Sequence, residues 1–155
     1  MNPSPKPEPH HRPKRRKRTL GSLKRELWKI VSQYIRLRDS ILTTGTKEEC
    51  VCVNCGQRKS YSAMQAGHFL PAGRYSAVRY MELNINGECA GCNSFDKRKL
   101  SYEANLKKRY GFEPVEGLKI HAELTPVHQW KAFEIEELLE TYKQKFSNLT
   151  NGGVR

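Results

Sequence analysis

The chain has 155 residues, which allows one compact domain with tails and is short for two. Hydrophobic residues make up 37% of it and aromatics 9%, so the apolar core is modest and a metal staple would help it reach useful stability. Lys and Arg number 28 against 16 acidic residues, and the formal net charge of +12 points to a polyanionic partner, because each cation placed on a phosphate releases a condensed counterion.

Residues 1–18 are rich in Pro, Lys and Arg and carry a net +6, with Glu8 their one acid. So little apolar surface cannot offset the entropy of ordering, and the segment reads as a disordered basic arm. The other +6 lies in the remaining residues, so the arm alone does not explain the basicity. No run approaches the roughly 20 apolar residues of a membrane helix, and no apolar signal core opens the chain. The expectation is a cytoplasmic protein with no membrane partner. In that reducing compartment paired cysteines read as metal ligands before disulfides.

Beyond the arm a single domain is expected over 19–149. Ser22 can cap a helix over about 22–40, in which Leu23, Leu27, Ile30, Val31, Tyr34 and Leu37 recur at helical spacing. Gly45 then breaks the chain. Residues of about 50–100 are short, Gly-punctuated and flanked by cysteines, as expected of a loop and hairpin built around a metal. A helix is predicted to start near Asn93, and another to run from a Ser101 cap to Gly111 with Leu106 and Tyr110 on its apolar side. Thr125-Pro126 predicts the start of a last helix over about 125–147, striped by Val127, Trp130, Phe133, Ile135, Leu138, Leu139, Tyr142 and Phe146. Residues 150–155 read as a flexible C-terminus.

Cys52-Val-Asn-Cys55 and Cys89-Ala-Gly-Cys92 are two knuckles of CxxC spacing. Two intervening residues let both thiolates reach one tetrahedral ion, and two knuckles close its coordination, so the reading is a structural zinc. Cys50 is left over as a spare thiol. The insert between the knuckles is longer than the roughly 15–20 residues of a plain zinc ribbon, so it houses something else. It contains Gly67-His68 and Asn84, which stands five residues before the second knuckle, and Asn93 follows that knuckle directly.

This order resembles the HNH or ββα-metal nucleases that carry a zinc-knuckle pair. It is similar above all to the phage lambda NinG (Rap) recombination nucleases, through Ala66-Gly67-His68-Phe69, Arg79-Tyr80-Met81-Glu82-Leu83-Asn84 and Cys89-Ala90-Gly91-Cys92-Asn93. The resemblance covers roughly Ser22 to Leu149. It implies a small α+β fold, a zinc-stapled ββα-metal (HNH) core flanked by helices, and a metal-dependent endodeoxyribonuclease cutting branched recombination intermediates such as Holliday junctions and D-loops. It also implies roles: His68 as general base, Asn84 as the residue orienting it, and Asn93 as a ligand of a catalytic Mg²⁺ or Mn²⁺.

The chemistry suits those residue types. A neutral imidazole can take a proton from water near working pH, and a hard divalent ion can neutralise phosphate and leaving oxygen together. Arg74, Arg79, Lys97 and Arg98 would grip the DNA backbone. The pattern departs from the family where acidic metal ligands stand: Gly67 precedes the histidine and Gln65 occupies the place of an Asp. Asp96, a helical turn from Asn93, is the expected substitute ligand, with Glu82 second. Symmetric cutting of a junction would call for a homodimer. The alternatives are a zinc-stabilised DNA-binding module with a degenerate, non-cleaving site, and an HNH nuclease acting on duplex DNA.

Overall fold

In the computed structural model, which describes residues 18–94 and 100–152, Thr19 starts the first helix. Its extended backbone and its Oγ1, which accepts from the Ser22 amide at 3.2 Å, cap α1 (Leu20–Thr44). The cap therefore stands three residues before the predicted Ser22. Gly45 closes the helix at φ 70°, a left-handed conformation that favours glycine, and its amide reaches the Ile41 carbonyl. Leu23, Leu27, Val31, Tyr34 and Ile35 form its buried face, packed on Ile135, Leu139 and Tyr142 of the last helix, α5 (Ala132–Asn151).

Between these two helices lies the hairpin region. Strands β1 (Glu49–Val51) and β2 (Arg58–Ser60) pair antiparallel. A second antiparallel pair, β3 (Met64–His68) and β4 (Ile85–Cys89), sets Gln65 opposite Glu88 and Gly67 opposite Asn86. The short helix α2 (Ala90–Ser94) leaves β4 directly. Helices α3 (Leu100–Tyr110) and α4 (Phe112–Leu124) turn on Gly111 at φ 93°. Tyr102, Leu106 and Val115 pack on Val53, and Leu118 and Ala122 pack on Tyr75 and Val78. Among the described residues this makes a small α+β fold of five helices and two small sheets, with no helix long and apolar enough to cross a membrane.

Further expectations change. The last helix begins at Ala132, not near Thr125, because Thr125 instead ends α4, with its amide on the His121 carbonyl. Lys131 and Glu134 form the capping box of α5, and that helix runs on through Thr150 and Asn151. The helix α4 was not foreseen. Residues 1–17 of the expected arm lie outside the described residues, while Arg18 binds Glu26 and Glu136 at 3.3 and 3.1 Å and so joins α1 to α5.

A buried polar network ties α1 to the hairpin. The Asp39 carboxylate is fully buried and accepts from Arg38, Arg109 and the Gly87 amide, the last at 2.6 Å. Arg38 also donates to the carbonyls of Glu82 and Ile85.

Candidate functional site

The first knuckle follows β1, and Gly56 at φ 71° turns the chain back toward β2. The second begins on the last residue of β4 and ends in α2. The Sγ atoms of Cys52, Cys55, Cys89 and Cys92 all lie within 4.8 Å of one another. Cys55 and Cys89 are 3.8 Å apart, and a tetrahedron with metal–sulfur bonds of about 2.3 Å has edges of about 3.8 Å. Burial pushes the Cys52 thiol up, while the amides of Cys55, Cys89 and Asn54 point at its sulfur and pull the other way. These four cysteines could hold a metal ion such as zinc, and the set leaves no ligand position for substrate. Cys50 stands apart: it is fully buried beside Thr43, and burial pushes its thiol up to about 11.

His68 is the last residue of β3. Its ring stacks on Trp28 of α1, with centroids 5.0 Å apart and planes 16° apart. Its Nε2 lies 2.9 Å from the Arg79 carbonyl oxygen. Only an N–H can donate to a carbonyl, so this contact assigns a proton to Nε2; in the neutral ring the lone pair then stands on Nδ1.

Asn84 and Asn93, the residues expected to act with His68, each have their own partners. Asn84 is buried and binds Leu70 twice, accepting from its amide at 2.7 Å and donating to its carbonyl at 3.1 Å, and it also donates to the Val78 carbonyl. Asn84 therefore pins the loop whose next residue, Arg79, holds His68; it does not bind the imidazole itself. Asn93, on α2, donates from Nδ2 to Gln65 Oε1 at 2.8 Å. That bond leaves its Oδ1 facing β3, where a Cβ built on Gly67 would stand 2.8 Å from it.

The same Cβ would meet Glu88 Oε2 at 1.8 Å. Glu88 is fully buried on β4, and its carboxylate takes the space a side chain at position 67 would need. The Glu88 and Asn93 oxygens are thus at most about 4.6 Å apart, the sum of those two distances. Tyr102, also fully buried, donates to the Gly67 carbonyl at 3.0 Å and fixes this stretch from the other side.

Arg74 is exposed on the loop after β3, its guanidinium 4.9 Å from the Tyr75 ring centre. Arg79 is half-buried over Tyr80. Glu82 is engaged within the fold: burial pushes its carboxyl up, but Lys145, the Tyr34 hydroxyl and Arg38 together hold it below its ordinary value of 4.5. Asp96, Lys97 and Arg98 lie outside the described residues. Sequence reasoning passed over Glu88 and Trp28. Glu88 comes into view only once the register of β3 on β4 is known, since an acid on one strand near a glycine on the next has room to reach across.

A family described as Bacteriophage Lambda NinG protein matches residues 6–152. The chain is 28% identical over 140 residues to protein ninG of Escherichia phage lambda, covering 86% of this chain and 63% of that protein. Protein ninG of Salmonella phage P22 is 27% identical over 138 residues, covering 85% and 62%. The chain thus spans somewhat under two thirds of the relatives it matches. No solved structure matches it. With a family match running from residue 6 to residue 152, this chain belongs to the bacteriophage lambda NinG family.

Proposed function

We propose that this chain is a metal-dependent endonuclease of the HNH type that hydrolyses phosphodiester bonds in branched DNA, in the cytoplasm of a bacterial host. The order of parts supports the reading: a strand ending in His68, a return strand, and a helix presenting Asn93. The observation that carries it is the imidazole held between Trp28 and the Arg79 carbonyl, which it meets through Nε2.

In this reading Nδ1 takes the proton of the attacking water as its oxygen bonds to phosphorus. The bond from phosphorus to the 3′ oxygen breaks, and solvent protonates the leaving oxygen. A bound Mg²⁺ or Mn²⁺ would supply charge neutralisation for the phosphate and the leaving oxygen. Asn93 offers it a carbonyl oxygen, and Gln65 keeps that oxygen turned toward β3. Arg74 and Arg79 grip neighbouring phosphates. His68 and Gly67 are neighbours at the end of β3, so the base and the ion would act at the same strand end.

Cleavage of a synthetic four-way junction and of a linear duplex, with Mg²⁺, Mn²⁺ or chelator, tests this. His68→Ala is expected to lower the cutting rate by roughly 10²- to 10⁴-fold, with zinc content unchanged. Equal cutting by parent and variant would remove His68 from the mechanism. Equal rates on duplex and junction would make it a duplex nuclease. The net charge of +12 favours one further reading, a non-cleaving DNA-binding module, which predicts salt-sensitive binding and no products with any divalent ion.

A further inference from the structure

The acid expected just before His68 is missing from β3, and its place is filled from the neighbouring strand. Gly67 has no side chain, and Glu88 Oε2 lies 1.8 Å from where its Cβ would be. No side chain larger than glycine fits there while the carboxylate stays. Asn93 Oδ1 reaches the same point from α2, within 2.8 Å. Gln65, the residue directly opposite Glu88 in the sheet, holds the Asn93 amide by its nitrogen and so turns its oxygen toward the carboxylate.

We infer that Glu88 is the anionic ligand of the divalent ion required by the nuclease reading above, on which this inference rests. Two oxygens about 2.1 Å from one octahedral ion stand about 3–4 Å apart, within the limit the two distances set here. The donor set of one carboxylate and one amide oxygen is hard, and it suits Mg²⁺ or Mn²⁺ over a thiophilic ion. Such a site keeps several waters and leaves positions for a phosphate oxygen. Glu82 is held by Lys145, Tyr34 and Arg38. The pairing of Gln65 with Glu88 also means that the acid can be moved across the sheet without changing which face it serves.

The test is Mn²⁺ binding to zinc-loaded protein, by calorimetry and by electron paramagnetic resonance of free Mn²⁺, followed by junction cleavage on the same samples. The parent is expected to bind one Mn²⁺. Glu88→Gln should weaken that binding at least tenfold with zinc content and helix content unchanged. Gly67→Ala, which keeps Glu88 but displaces its carboxylate, should weaken it similarly. The double exchange Gln65→Asp with Glu88→Gln should recover binding. Mn²⁺ bound as tightly by Glu88→Gln and by Gly67→Ala as by the parent would overturn the assignment while leaving the nuclease reading intact, provided the parent cuts. A parent that binds no Mn²⁺ would overturn it as well. Glu88-dependent binding in a parent that cuts no DNA would support the ligand assignment and defeat the nuclease.

Discussion

Asp39 is fully buried, and its carboxylate is met by two guanidiniums and one backbone amide. Removing the acid leaves Arg38 and Arg109 facing each other in a poorly solvated space with the Gly87 amide unmatched. Breaking such a buried set by deleting one partner costs roughly 3–5 kcal/mol, far above the worth of an exposed pair. Asp39→Ala should therefore lose stability on that scale in a urea titration, and Asp39→Asn less, because an amide oxygen can still accept from Gly87. A change below about 1 kcal/mol would mean that water replaces the carboxylate. In sequence, Asp39 looks like an ordinary polar position near the end of an amphipathic helix. Its burial follows from the approach of Gly87, where even a Cβ would stand 3.1 Å from Cys50 Sγ.

At the scale of elements, α1 and α5 are joined by an apolar seam and fastened by charges at its edges. Arg18 and Lys143 both reach Glu26, and Glu82 takes Lys145 from α5 and Arg38 and Tyr34 from α1. Because the folded Glu82 titrates below its ordinary 4.5, its contribution is complete above that value and is lost as pH falls through the folded one. Urea midpoints should thus drop on acidification in the acid range, and Glu82→Gln should flatten that drop while lowering stability at neutral pH. An unchanged slope would place the acid sensitivity elsewhere. The apolar stripes of α1 and α5 were legible because helical periodicity is local. The start of α5 was not, because two cap signals compete there. Ser76 decides between them: its Oγ accepts from the His128 amide and its carbonyl from the Trp130 indole, holding the chain extended up to Lys131.

For the whole molecule, burial is divided among several small clusters, and one of them consists of Cys50, Cys52, Met64 and Cys89. A cluster made largely of thiols is held by an ion or hardly at all, since binding of a structural metal is itself folding free energy. Chelation, or Cys52→Ser with Cys55→Ser, should lower the melting temperature by on the order of 10 °C, as a loss of ~4 kcal/mol would at this size. Far-ultraviolet circular dichroism should keep most of the α1 and α5 signal. A melting curve indifferent to chelator would remove the metal from the fold. The cysteine set was legible because ligand spacing is a local code. The acid beside Gly67 was not, because it arrives across a strand pair whose register no local pattern sets.

Cys89 directly follows Glu88, and Cys92 directly precedes Asn93. The two oxygen-bearing residues therefore flank the segment that the two thiols of the second knuckle close. An ion in the thiolate site would fix the backbone between those two residues, and so the places from which both side chains set out. On the ligand assignment proposed above, the thiolate site would thus act on the oxygen site through the chain itself, with no side chain between them.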